Sequence, residues 1–113
     1  MSPRLGFVAI VPAVLLPSVT ALADDAAATA QAAHTVVIEN MQFNPATLTV
    51  RRGERIVWVN KDLFPHTVTA SNKAFDSGSI DAGSSWTYVA NKPGDYAYGC
   101  TFHPTMKAAI KVE

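Results

Sequence analysis

A thiol, an imidazole and a thioether recur at every third residue in the run Tyr98-Gly99-Cys100-Thr101-Phe102-His103-Pro104-Thr105-Met106. A second candidate imidazole, His66, lies upstream beside Pro65. Thiolate is a strong donor to soft metals, imidazole an intermediate one, and thioether a weak one that can sit long on an axis. Two imidazoles, a thiolate and a thioether make the donor set of a mononuclear copper site that passes single electrons. Cys100 is the chain's one cysteine. It has no disulfide partner within the chain, and metal ligation best accounts for it. Zinc could use the same donors, but the thioether favours copper.

Copper prefers a different geometry in each oxidation state, so these four side chains need a stiff support. From His34 onward the chain reads as short β-rich runs separated by Gly, Pro, Asn and Asp. Strands are predicted at residues 35–39, 47–50, 55–60, 66–70, 84–89, 96–100 and 108–112, with a short one near 75–80. Turn signals at Asn44-Pro45, Arg52-Gly53, Ala82-Gly83 and Pro93-Gly94 punctuate them. Closely spaced strands without a long amphipathic helix predict an all-β antiparallel sandwich or barrel of about seven to eight strands.

Side chains alternate across a strand. Tyr96, Tyr98 and Cys100 therefore share a face, as do His66, Val68 and Ala70, Trp86 and Tyr88, and Ile110 and Val112. These are the expected core faces, which puts His66 and Cys100 on the core side at strand ends. The tryptophans, Trp58 and Trp86, read as core. His34 reads as a surface strand residue, and Arg51, Arg52 and Arg55 as solvated flanks of a turn at Gly53. Pro65 and Pro104 stiffen the backbone beside the two histidines.

The first residues carry a different signal. Arg4 gives a positive start, Leu5 to Val19 an apolar stretch broken by Pro12 and Pro17, and Ala21-Leu22-Ala23 a small-x-small cleavage site. The apolar run is too short and too proline-broken for a comfortable membrane span. Residues 1–23 are read as an export signal, alanine-rich 24–33 as a flexible lead-in, and 34–113 as the functional domain. About 90 residues then remain, enough for one small core. Nine basic and nine acidic side chains balance, and without Arg4 the acids lead by one. The absence of a basic stripe argues against nucleic acid.

Taken singly, these signals are weak. C-x-x-H also describes a buried structural cysteine beside an incidental histidine. Met106 alone would be core, and His66 alone a satisfied strand-end histidine. The conjunction of four donors, an export signal, β texture and an unpaired cysteine points to a metal. Three histidines in all are too few for an oxidase with several copper sites, and no third group stands beside a Cys100–His66 pair to make a hydrolase.

The chain resembles the cupredoxins, the small blue-copper proteins, and most of all their amicyanin and plastocyanin branch. The resemblance runs from about Val37 to Val112. It is carried by Phe43-Asn44-Pro45-Ala46-Thr47-Leu48-Thr49-Val50, Val57-Trp58-Val59-Asn60-Lys61-Asp62, Pro65-His66-Thr67-Val68, Phe75-Asp76-Ser77-Gly78, Pro93-Gly94-Asp95-Tyr96 and the Cys100–Met106 loop. The short C-x-x-H-x-x-M loop is similar to that of amicyanins. The resemblance implies a two-sheet Greek-key sandwich with copper near one end. His66, Cys100 and His103 would be the near-planar ligands and Met106 the axial one. Three positions depart from the family pattern. Thr67 stands where an Asn usually braces the cysteine loop. Gly99 replaces a bulky residue that in plastocyanins is an aromatic tied to a second electron route. Phe102 and Thr105 replace the Pro and Phe usual around the loop histidine.

The expected function is a periplasmic one-electron carrier cycling between Cu(I) and Cu(II), and not an enzyme. The alternative is a copper-binding or copper-delivery protein using the same ligands. Redox proteins would dock near His103 on a patch of Phe64, Phe102 and Pro104. The resemblance implies an amine dehydrogenase or a c-type cytochrome as partner. The protein is expected to act as a monomer and, once its signal is cleaved, without membrane insertion.

Overall fold

The computed structural model describes residues 2–4, 6–16 and 32–113. The proposed cleavage site at Ala21–Ala23, and most of the proposed lead-in, lie outside the described residues. Eight strands follow in order: β1 (Ala33–Glu39), β2 (Gln42–Asn44), β3 (Thr47–Val50), β4 (Arg55–Asn60), β5 (Thr69–Ala70), β6 (Ser85–Val89), β7 (Gly94–Gly99) and β8 (Lys107–Val112). They form two four-stranded sheets, ordered β2-β1-β4-β6 and β3-β8-β7-β5. Among the described residues no helix is long and apolar enough to cross a membrane.

The period-2 pattern explains which faces meet. Val36 and Ile38 of β1, Ile56, Trp58 and Asn60 of β4, Tyr96 and Tyr98 of β7, and Ile110 and Val112 of β8 all point inward and are buried. Trp58 lies at the centre, edge-on to Tyr98 with ring centroids 5.7 Å apart. Its Nε1–H donates to the Tyr98 hydroxyl at 3.2 Å. Burial pushes that hydroxyl up to about 12, so it stays a neutral acceptor, although the Trp58 bond pulls the other way. Trp86 and Tyr88, half-buried, close the edge by packing on Phe75.

The antiparallel expectation holds only in part. β1 pairs with β4, and β3 with β8, in parallel. After the β1–β2 hairpin the chain crosses to the second sheet as β3. It turns at Gly53, whose φ of 91° suits glycine, and returns beside β1 running the same way. Parallel neighbours need such a crossover. β2 went unpredicted because three residues with one inward side chain, Phe43, are too short to show alternation.

The strand expected over 66–70 shrinks to β5. His66 keeps a single bridge to Ile80, its N–H donating to the Ile80 carbonyl at 3.1 Å and its carbonyl accepting from Ile80 at 2.7 Å. Between these points the amides are diverted from any ladder. Thr67 N–H donates to Cys100 Sγ at 3.3 Å and Val68 N–H to Ser77 Oγ at 2.7 Å. The strand expected over 75–80 is likewise only two bridges, at Asp76 and Ile80.

Candidate metal centre

Cys100 directly follows β7 and Met106 directly precedes β8, so the donor loop is the connection of one hairpin. Gly99 and Lys107 are paired across its base. Cys100 N–H donates to the Met106 carbonyl at 3.2 Å, and Met106 N–H to the His103 carbonyl at 2.9 Å. These bonds close the three-residue spacing into a compact turn. A Cβ at Gly99 would lie 2.7 Å from the Met106 carbonyl oxygen. Glycine is what lets the loop close so tightly.

His66 reaches the same place from the loop after β4. Its ring is fully buried and Cys100 is 3% exposed. Nδ1 of His66 lies 3.8 Å from Cys100 Sγ. Imidazole and thiolate bind a first-row ion such as zinc at about 2.0 Å and about 2.3 Å, so a single ion can reach both donors across that gap. Met106 is buried beside them, whereas His103 is half-exposed. The His103 ring lies 5.2 Å from that of His66, centroid to centroid. Among the described residues no three His, Cys, Asp or Glu side chains form a metal group by themselves. Cys100 and His66 are the close pair, with Met106 buried on the same loop as Cys100 and His103 on that loop at half exposure.

Thr67, the departure beside His66, keeps the brace. Its Oγ1 accepts from the Thr101 amide at 2.8 Å and lies 3.1 Å from Thr101 Oγ1 and 3.0 Å from Thr69 Oγ1. A hydroxyl thus ties the first residue of the cysteine loop to the His66 segment, while the Thr67 amide donates to the sulfur.

The sequence reading missed two residues that organise the site. Asp62 Oδ2 lies 2.7 Å from His66 Nε2, on the far side of the ring from the cysteine. Burial works to raise the Asp62 carboxyl. Hydrogen bonds from the Met41 amide, the His66 ring and the Asn40 amide outweigh it and hold the group below the ordinary carboxylate range. An acid four residues before a candidate ligand histidine was the available signal. Asn60, fully buried at the end of β4, donates to the carbonyls of Phe64 and Ile80 at 2.7 and 2.9 Å and accepts from the Asp62 amide at 3.0 Å. It sets the path of the loop that carries His66.

The two loops that carry the candidate donors leave apolar side chains exposed. Phe64, Phe102 and Pro104 are exposed as expected, joined by Leu63 at 88% exposure. His34 lies away from the site. It is half-buried rather than a plain surface residue, with Nε2 3.2 Å from Glu54 Oε1. Arg51, Arg52 and Arg55 are exposed around the Gly53 turn.

The sequence matches the family model of the cupredoxin-like domain over residues 12–112. The chain belongs to the cupredoxin family. This cupredoxin is similar to the amicyanin of Paracoccus versutus, 32% identical over 69% of this chain and 63% of that protein. It is also similar to the chloroplastic plastocyanin of Tetradesmus obliquus, 32% identical over 54% of this chain and 50% of that one. The chain thus spans less than two thirds of either relative. A Cu(I) structure of an amicyanin methionine-to-alanine variant superposes with a TM-score of 0.67 at 26% identity, covering 72% of this chain and 82% of that one. These matches place the chain in the amicyanin and plastocyanin branch. His66, Cys100 and Met106 lie in the ligand arrangement of its copper centre.

Proposed function

We propose that this cupredoxin is an exported, mononuclear copper protein that carries single electrons, with His66, Cys100, His103 and Met106 as ligands. The observation that carries the reading is the buried Cys100–His66 pair, with Nδ1 and Sγ 3.8 Å apart and each braced by a partner of its own. When bound, copper supplies a one-electron Cu(I)/Cu(II) couple. The chain's residues limit the rearrangement that electron transfer would otherwise demand. The Thr67 amide fixes the sulfur, Asp62 fixes the His66 ring, and the hairpin closure fixes the distance between Cys100 and Met106.

Half-exposed His103 is the most exposed of the four proposed ligands, and the loops that carry them leave Leu63, Phe64, Phe102 and Pro104 exposed as candidates for an apolar docking patch. Such a patch suits the small, short-lived interfaces of electron-transfer encounters. Similarity to amicyanins makes an amine dehydrogenase or a c-type cytochrome the partner class to test. The protein works as a monomer and is not an enzyme in this reading. Export is supported by the N-terminal stretch. Arg4, the apolar residues that follow it and the small-x-small site at Ala21–Ala23 stand in the order of an export signal.

The test is a visible and electron-paramagnetic spectrum of the copper-loaded protein, with voltammetry. Intense absorption toward the red and a reversible one-electron wave are expected. A colourless, redox-silent holoprotein overturns the carrier. A coloured one with slow self-exchange that surrenders copper to an acceptor makes it a delivery protein instead.

A further inference from the structure

We infer that Asp76, between β5 and β6, is a positioning residue that sets the direction of a chain of three threonine hydroxyls, on Thr69, Thr67 and Thr101, and so makes Thr67 an acceptor toward the cysteine loop. This role rests on the reading of Cys100 as a copper ligand, but the hydrogen bonds concerned belong to the chain itself.

Thr67 leaves a choice open that the asparagine usual at its position does not. A side-chain amide keeps its acceptor and its donors on separate atoms, whereas a hydroxyl oxygen acts as either. Thr67 Oγ1 has three partners: the Thr101 amide at 2.8 Å, Thr101 Oγ1 at 3.1 Å and Thr69 Oγ1 at 3.0 Å. It meets them with two lone pairs and one hydrogen. The amide only donates, so it takes one lone pair. The other lone pair and the hydrogen fall to the two hydroxyls, and nothing at Thr67 says which way round. Thr67 is buried, so bulk water does not settle it.

Asp76 does. Thr69 Oγ1 donates to Asp76 Oδ1 at 3.1 Å, and a carboxylate only accepts, so the single Thr69 hydroxyl hydrogen is spent there. The Thr67–Thr69 bond then takes its hydrogen from Thr67, and the bond between the Thr67 and Thr101 hydroxyls takes its hydrogen from Thr101. The chain runs one way, from Thr101 through Thr67 and Thr69 to Asp76. The carboxylate is itself held in place. The Gly78 amide donates to the same Oδ1 at 3.0 Å, from a residue whose φ of 64° suits glycine. Asp76 is bridged to Thr69, and the next amide, of Ser77, donates to the Val68 carbonyl at 2.9 Å. Asp76 thus bonds to Thr69 and Gly78 and not to a candidate ligand. Its influence reaches the site because Thr67 is anchored at both ends, by its hydroxyl to Thr101 and by its amide to Cys100 Sγ at 3.3 Å. Hydrogen bonding around the sulfur is one of the features that tune a copper–thiolate potential.

The experiment follows amide exchange at Thr101 in the metal-free, nitrogen-15-labelled full chain, and the reduction potential of the copper-loaded chain. Thr69→Val removes the relaying hydroxyl but keeps a β-branched side chain, and Asp76→Ala removes the acceptor that directs it. Each should speed Thr101 exchange about fivefold or more, the loss of one ordinary hydrogen bond, and shift the potential. Thr69→Ser restores the hydroxyl without the methyl group, and Asp76→Asn keeps an oxygen that accepts. Both should bring the two readouts back close to wild type. Unchanged Thr101 exchange and potential in Thr69→Val and Asp76→Ala overturn the inference. So does a Thr69→Ser chain that behaves like Thr69→Val, which makes methyl packing the cause. A general loss of stability with nothing specific to Thr101 assigns both residues to the fold alone and overturns it too. If Thr69→Val does not fold, Asp76→Ala, at an exposed position, decides. The two readings fail separately. The expected order of exchange rates with a colourless holoprotein sinks the copper reading only, and a coloured holoprotein without that order sinks this inference only.

Discussion

The buried side of the candidate site and its solvent edge are built on different principles. On the inner side, His66 and Cys100 are almost wholly excluded from water, and a partner holds each. Thr67 N–H lies against the sulfur, Asp62 against the ring, and Asn60 under the loop that carries them. At the edge, His103 is half-exposed, and its loop and the one carrying His66 leave Leu63, Phe64, Phe102 and Pro104 uncovered. Buried polar groups are costly unless paired, so the inner side is over-determined by hydrogen bonds. Exposed apolar groups on a small domain gain little for the fold, and their value lies in what they meet outside. One side sets geometry and the other sets access.

The largest test of this division strikes the inner side. Cys100→Ser removes the strongest donor, and the copper-loaded variant should lose the intense visible band while its circular dichroism stays that of a folded sheet protein. A band of undiminished strength would mean that the sulfur ligand is not Cys100. Asn60→Ala leaves the Phe64 and Ile80 carbonyls and the Asp62 amide without their partner. Urea unfolding of the metal-free protein should show a loss of about 3 kcal/mol. A loss below roughly 1 kcal/mol would mean that water replaces the amide and that the inner network is less closed than described.

Smaller effects separate the two sides further. Met106→Leu should keep copper bound but shift the reduction potential measured by voltammetry, and an unmoved potential would remove Met106 from the ligand set. Glu54, at the far end of the domain, provides a control that bypasses the site. Its carboxyl lies below the ordinary value, first because the Arg51 amide donates to it at 2.6 Å and then through His34, against a raising effect of burial. The stabilisation is therefore complete above the ordinary carboxylate range and is lost as pH falls through it toward the lowered folded value. Glu54→Gln should flatten that acid-side slope in unfolding experiments. Phe102→Ala, at the solvent edge, should change stability by no more than about 0.5 kcal/mol yet slow electron self-exchange. Equal loss of both would make Phe102 a packing residue.

The candidate donor loop was legible because its information is local. Cys100, His103 and Met106 lie within seven residues, on a hairpin whose flanking strands alternate clearly, so type and spacing suffice. His66 was legible through parity and through Pro65 beside it. Asp62 and Asn60 were not, although they lie within six residues of His66. Their roles depend on where the Asn40–Met41 turn and the Ile80 carbonyl arrive, and nothing local encodes that meeting. The same holds for the parallel pairing of β1 with β4. Alternation identifies a strand and its inward face, but partner and direction follow from crossovers between sheets. The short reach of β5 has a similar origin, since the amides of Thr67 and Val68 found a sulfur and a serine in place of a neighbouring strand.

Donor chemistry, β texture and the core faces were determined by the sequence alone, because side-chain type and a period of two are properties of adjacent residues. Only the tertiary structure decided how the donors are held. It brought a threonine amide to the sulfur, a carboxylate to the far nitrogen of His66, and two amides of a left-handed turn to that carboxylate. Each is a hydrogen bond between segments separated by 21 or more residues, apart from the Asp62–His66 contact within its own loop. Such bonds need the sheets to be packed before their partners can meet.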